Sequence, residues 1–293
     1  MGDYIVRVSA AGAMVRGFFA RTTETVGEAA RIHAASPVVS AALGRLLTAG
    51  AIMGSMLKND TDLTSLIIKG DGPMAGLVVS CGKNARVKGY PYYSDIELPL
   101  NSKGKLDVAG AIGAGMLSVV QDIGLKEAVS GQVKLVSGEI AEDLTHYFRY
   151  SEQIPSSVAL GVLVDRDYSI RQAGGFIIQL MPGCPDSVAG QLEKALSELP
   201  PITSLMDDGA LPEDIAIQVL GLLDMVELER CETCFGCNCN RDRVMRALSS
   251  LGREELENIL QEDGEAVLHC HFCRSDYAFA GMEIKQILQG ETM

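Results

Sequence analysis

Six of the eight cysteines in this 293-residue chain fall within residues 231–273: Cys231, Cys234, Cys237, Cys239, Cys270 and Cys273. Cys81 and Cys184 stand alone. Such crowding in a small secreted domain reads as a disulfide framework. In a long chain whose start, Met1 to Val6, lacks the cationic and apolar regions of a secretory signal, it reads as metal or redox chemistry. Thiolates bind zinc tightly, and a tetrahedral site takes four. Cys237-Asn238-Cys239 and Cys270-His271-Phe272-Cys273 supply four thiols in two close pairs. Each pair falls where the chain is expected to turn, one ahead of a helix capped by Asn240, the other between two extended stretches. A piece this short builds no large core, so a metal is expected to be its main support. Spacing alone leaves the upstream pair open. Cys231-Glu232-Thr233-Cys234 and Cys234-Phe235-Gly236-Cys237 are each C-x-x-C, and His269 and His271 are further possible ligands.

Charge divides the chain in the same region. Residues 1–180 carry 17 basic and 17 acidic side chains, residues 181–230 carry 2 and 10, and residues 231–293 carry 6 and 11. The net charge of −13 therefore lies wholly beyond residue 180. We expect a core domain over 1–180, a helical linker over 181–230 and a small zinc-binding domain over 231–293. The acidic balance, the absence of Trp and an aromatic content of 5% argue against a nucleic-acid surface, which draws on Lys, Arg and stacking rings. The longest apolar stretch, Ala41 to Leu57, is interrupted by Arg45 and falls short of a membrane span, so a buried helix is expected there. A cytoplasmic protein without membrane partners is the resulting expectation.

Residues 1–180 mix strands and helices. Strands are expected at Tyr4–Val8, Met14–Phe19, Ser65–Lys69, Ala75–Cys81, Arg86–Tyr90, Leu117–Asp122, Gln132–Val136, Val158–Val164 and Gly175–Met181. Helices are expected at Thr23–His33, from Ser36-Pro37 to about Lys58, and at Ala141–Glu152. In the second helix Ala42, Gly44, Ala49 and Gly50 permit close approach of other elements. Strands in groups, without strict βα alternation, point to an α+β fold. The linker reads as two helices. The first carries Val188, Leu192, Ala195, Leu196 and Leu199 on one stripe and ends at Pro200-Pro201. The second begins at Pro212 with Ile215, Val219, Leu222, Leu223 and Val226 on one face. Faces so apolar must be covered, and their acidic, Pro- and Gly-punctuated flanks suit a connector that can come loose. Beyond Asn240, helices are expected at Arg241–Leu251 and Glu254–Asp263, then extended stretches at Ala266–His269 and Tyr277–Phe279.

The string from Cys237 through Asn240-Arg241-Asp242-Arg243-Val244-Met245-Arg246-Ala247-Leu248, then Leu251-Gly252, Glu255-Leu256 and Cys270-His271-Phe272-Cys273, resembles the zinc domain of the redox-regulated chaperones called heat shock protein 33. His33 to Pro37, Ala41 to Arg45, Gly70 to Pro73, Glu142 to Leu144 and Ser151 to Pro155 match that family as well, in order along nearly the whole chain. The resemblance implies zinc on Cys237, Cys239, Cys270 and Cys273 in a reduced, inactive protein. Oxidants are then implied to form Cys237–Cys239 and Cys270–Cys273 disulfides, release zinc and unfold the zinc domain and linker. Exposed apolar surface, with homodimerisation, would hold unfolding client proteins without ATP. Cys231 and Cys234 depart from the pattern as two extra thiols.

Other chemistry is thinly supported. His33 and His146 have no visible catalytic partners, and His269 and His271 are expected beside a metal pair rather than on it. Cys81 and Cys184 read as inert thiols, and Arg45 as paired with a carboxylate or reaching solvent. Ser151-Glu152-Gln153 shows no hydrolase pattern, and no enzyme activity is expected. The competing reading is a thiol-disulfide oxidoreductase at Cys231 and Cys234, for which the thioredoxin-like βαβ setting is missing. A zinc-ribbon nucleic-acid adaptor is disfavoured by the net −5 of residues 231–293.

Overall fold

The computed structural model describes residues 2–289, which form two compact units, one ending at Gly236 and the other beginning at Cys237. The fold is α+β, as expected. The first unit runs β1 (Tyr4–Ala10), β2 (Val15–Arg21), α1 (Thr23–His33), α2 (Pro37–Ser55), β3 (Leu63–Gly70), β4 (Gly76–Gly82), β5 (Arg86–Pro91), α3 (Val108–Ile112), β6 (Gly115–Asp122), β7 (Val129–Lys134), α4 (Ala141–Tyr150), β8 (Ser156–Val164) and β9 (Ile170–Leu180). It continues through α5 (Asp186–Ser197), α6 (Ile202–Asp207), α7 (Pro212–Leu220), a 3₁₀ turn at Gly221–Leu223, β10 (Val226–Glu232) and β11 (Cys234–Phe235).

Two sheets carry this unit. One has the order β10-β1-β2-β9-β8, the other β11-β5-β4-β3-β6-β7. Helix α2 packs against strands of both. That position explains its composition, because a helix covered on every side must be apolar around its whole girth. Pro37 opens it at the first turn. Among the described residues α2 is the one helix long and apolar enough to cross a membrane, and 89% of its apolar window is buried inside the fold. Arg45 leaves the apolar surroundings by donating to Glu139 Oε2 at 2.6 Å. His33 is a packing residue whose Nε2 lies 2.9 Å from Gly89 O.

The small residues of α2 set its distance from its neighbours. A Cβ on Gly44 would stand 2.5 Å from Val26 Cγ1 and 2.8 Å from Val162 Cγ2. Gly44→Ala is therefore expected to destabilise the protein by about 1–2 kcal/mol, overpacking outweighing the gain in helix propensity. Gly190→Ala in α5, where nothing lies within 4 Å, is expected to stabilise by about 0.5–1 kcal/mol. Urea unfolding midpoints moving in opposite directions for the two variants would bear this out; a shared direction would contradict it.

The outer face of the β10-β1-β2-β9-β8 sheet holds a second core. Tyr4, Val6, Val8, Phe19, Phe176 and Ile178 of the strands meet Leu192, Ile202, Met206, Ile215, Ala216, Val219, Leu220 and Leu223. Residues 186–223 thus cover the sheet. The segment departs from the expected pair of helices in two ways. A short helix, α6, stands between them, and the last helix stops at Leu220, so that Val226 opens a strand instead of closing a helical face. Leu222 is 97% exposed and Val226 58% exposed, so neither belongs to the covered face. The ladder of β10 against β1 accounts for the early stop, since Val226 pairs with Ser9 and Cys231 with Ile5. Residues 231–236, expected in the small C-terminal domain, complete the sheets of the first unit.

The second unit comprises α8 (Arg241–Ser249), α9 (Arg253–Glu262), the hairpin β12 (Glu265–His269) and β13 (Asp276–Ala280), and α10 (Gly281–Gln289). Helix α10 had no counterpart in the sequence reading. The core of this unit is Leu248, Leu256, Ala266, Phe279 and Ile284.

Candidate metal centre

Two short loops of the second unit carry the four cysteines. Cys237 and Cys239 lie in the chain leading to α8, and Asn240 stops that loop by capping the helix, its Oδ1 accepting from the Arg243 N–H at 2.8 Å. The other loop closes the β12–β13 hairpin. There the Cys270 N–H donates to Ser275 O at 2.9 Å and the Arg274 N–H to Cys270 O at 2.8 Å. Arg274 adopts a left-handed conformation, φ 55°, which turns the chain back into β13.

These loops bring Cys237, Cys239, Cys270 and Cys273 together with all four sulfurs within 4.8 Å of one another. Cys237 Sγ lies 3.7 Å from Cys270 Sγ, and Cys239 Sγ 3.2 Å from Cys273 Sγ. A tetrahedral zinc with bonds of about 2.3 Å separates its sulfurs by about 3.8 Å, so this donor set fits the ion in number, type and spacing. Among the described residues no histidine belongs to the group. His269 instead pairs with Asp276 across the hairpin. Cys231 and Cys234 lie outside the group, in β10 and β11.

Sequence reasoning missed the polar atoms around the sulfurs. Tyr277 OH donates to Cys239 Sγ at 3.1 Å, and Ser275 Oγ lies 3.3 Å from Cys273 Sγ. The bond to Cys239, with a smaller contribution from burial, pushes the Tyr277 hydroxyl up to about 12, so it remains a donor. Burial pushes the Cys237 and Cys239 thiols up. It acts the same way on Cys273, but hydrogen bonds from the Ser275 side chain and backbone and from the Cys239 and Cys270 thiols outweigh it and bring Cys273 down to about 7. Cys273 is thus the readily ionised thiol, and a bound cation would ease the loss of protons from Cys237 and Cys239. Tyr277 was legible only as a strand residue; its partner is thirty-eight positions away.

The remaining cysteines are placed differently. Cys81 is 1% exposed, and burial pushes its thiol well up. Cys184 is half-buried beside the second core.

An α+β unit carrying a strap of helices, followed by a small unit built around four thiols, defines a two-part protein with a metal-competent cysteine centre. The sequence model of the family described as Hsp33 protein matches residues 3–280. The chain is 48% identical over 288 residues to the 33 kDa chaperonin of Lachnoclostridium phytofermentans, covering 98% of this chain and 99% of the relative. It is 49% identical to the 33 kDa chaperonin of Agathobacter rectalis, covering 98% and 100%. The crystal structure of the 33 kDa chaperonin (heat shock protein 33 homolog) from Thermotoga maritima superposes with a TM-score of 0.90 at 37% identity, covering 99% of each chain. The chain belongs to the Hsp33 chaperone family.

Proposed function

We propose that this protein is a redox-regulated holdase that binds unfolding client proteins without ATP, in the reducing cytoplasm, and that it is not an enzyme. The observation that carries the reading is the convergence of four sulfurs within 4.8 Å in a unit whose own core is five residues. In the reduced protein Cys237, Cys239, Cys270 and Cys273 hold zinc. When bound, zinc supplies a structural crosslink between the two loops and keeps the thiolates ionised. Peroxide takes two electrons from each pair of thiols: Cys237–Cys239 and Cys270–Cys273 disulfides form, and each peroxide leaves as two waters. The sulfurs no longer hold the metal, and residues 237–289 lose their main support. The segment 181–230 then comes away and exposes the second core's apolar faces, which serve clients and a homodimer contact. The net acidic charge beyond residue 180 keeps the released segment soluble. Neither nucleic acid nor membrane enters this cycle.

The test is suppression of aggregation of a heat-denatured client. Reduced protein is expected to be inactive, and protein treated with peroxide under mild heat to suppress aggregation at stoichiometric ratios without ATP. Equal suppression by both forms would remove the redox switch from the reading. A thiol oxidoreductase would instead turn over disulfides catalytically, and the strand setting of Cys231 and Cys234 does not favour it.

A further inference from the structure

The first unit holds a second thiol pair, Cys231-Glu232-Thr233-Cys234, outside the four-cysteine centre. This segment carries the chain from one sheet to the other. Cys231 and Glu232 pair with Ile5 and Tyr4 at the end of the β10–β1 ladder. The Thr233 N–H donates to Asp3 O at 3.1 Å, and Thr233 Oγ1 donates to Ala85 O at 2.7 Å. Cys234 then pairs with Arg86 in the parallel β11–β5 contact.

The strap is extended throughout. No turn, bend or left-handed residue interrupts 231–234, and burial alternates from half-buried Cys231 to exposed Glu232, buried Thr233 and exposed Cys234. An extended chain advances about 3.3 Å per residue and alternates its side chains. Cysteines three apart therefore stand about 10 Å apart at Cα and face opposite ways, whereas a disulfide accepts Cα separations of about 4.4–6.8 Å. The same C-x-x-C motif in a helical turn would bridge in place; here it cannot.

The strap also latches a helix. Arg230 lies 3.5 Å above the Tyr4 ring centre and its Nη1 donates to Glu213 Oε1 of α7 at 3.0 Å. Tyr4 OH donates to Glu213 Oε2 at 2.8 Å. Pulling β10 from β1 takes Arg230 off both Tyr4 and Glu213 and leaves Tyr4 OH as the one partner holding Glu213 among these contacts.

We propose that Cys231 and Cys234 form a redox-modification site whose disulfide closes only after residues 231–234 leave both sheets, so that oxidation holds the strap open and unlatches α7. Exposed Cys234 meets peroxide first. Its thiolate attacks a peroxide oxygen, the O–O bond breaks, and a sulfenic acid and hydroxide result, the hydroxide taking up the proton that the thiol released on ionising to leave as water. When the strap opens, the Cys231 thiol attacks the sulfenic sulfur, the S–S bond forms, and the departing hydroxide takes the thiol proton as a second water. Burial, then Glu229 and Glu232, keep Cys231 protonated until that opening. Cys81 is sealed in the first core at 1% exposure and Cys237 belongs to the four-cysteine centre, which leaves Cys231 as the resolving thiol.

The test uses the full reduced chain treated with peroxide, beside a Cys231→Ser/Cys234→Ser chain treated identically, with metal content followed in both. Cleavage after Arg230, Glu232 and Arg241 leaves Cys231-Glu232 attached to residues 233–241 only through a disulfide of Cys231. That attachment is expected in the unsubstituted chain and should vanish in Cys234→Ser. Amide exchange over residues 3–5 and 231–236, outside the segment 181–230 that oxidation of the four-cysteine centre releases, should be about tenfold faster in the oxidised unsubstituted chain than in the oxidised double variant. Absence of the attachment once Cys234 has been consumed would overturn the proposal, as would attachment with equal exchange in the two chains. Failure of the four-cysteine reading would show separately, as a reduced chain without metal.

Discussion

Cys270→Ser is expected to abolish zinc binding and to unfold residues 237–289 while residues 1–180 stay folded. Structural zinc contributes about 10–16 kcal/mol to the folding of domains of this size. The apolar core available without it is Leu248, Leu256, Ala266, Phe279 and Ile284, and each large side chain among them adds about 1.5–3 kcal/mol. Losing one ligand therefore removes support as large as that whole core. Elemental analysis should give one zinc per unsubstituted chain and none for Cys270→Ser, and the amide signals of 237–289 should collapse to the narrow dispersion of an unfolded segment. Cys231→Ser and Cys234→Ser should each retain one zinc, because neither sulfur belongs to the group. Full zinc retention by Cys270→Ser would remove it from the ligand set.

Ile215→Ser with Val219→Ser should loosen α7 and confer chaperone competence without oxidant. Both side chains are covered, at 4% and 3% exposure, by the sheet that carries Val6, Val8 and Phe19. Burial of each is worth about 1.5–3 kcal/mol, and a serine hydroxyl left there adds a desolvation cost. Together the changes remove a large share of what holds a nine-residue helix in place, while the cysteine centre is untouched. Amide exchange across 212–223 should rise with zinc still bound, and reduced protein should suppress client aggregation in part. Leu222→Ser with Val226→Ser is the control, since both residues face solvent and that pair should behave as the unsubstituted chain. If the buried pair leaves activity dependent on oxidation although exchange has risen, the client-binding surface lies elsewhere in the first unit.

Local chemistry was legible in the chain wherever neighbours in sequence decide it. Asn240 as a cap, Pro37 as a helix start, the alternating strands of the two sheets and the small residues of α2 all follow from propensity and periodicity, and the structure realises each of them. The two cysteine pairs were legible as pairs for the same reason. What spacing left open was which upstream thiols converge with Cys270 and Cys273, because that depends on where two loops thirty residues apart are brought by α8, α9 and the hairpin between them. Tyr277 reaching Cys239 and Arg230 clasping Glu213 are likewise products of packing, invisible to any local pattern.

The clearest division falls at residues 212–236. Composition and Pro212 dictated a helix there, and an apolar stripe through Leu222 and Val226 read as its buried face. The tertiary structure ends the helix at Leu220 because the following residues gain a full antiparallel ladder with β1, and a strand points alternate side chains away from the face a helix would have buried. That same ladder takes Cys231 and Cys234 out of the C-terminal unit and sets them on opposite sides of an extended strap. The chain alone determined that six thiols would crowd its last quarter. Only the fold decided which four meet, because backbone hydrogen bonds of β10 and β11 commit the other two to the sheets.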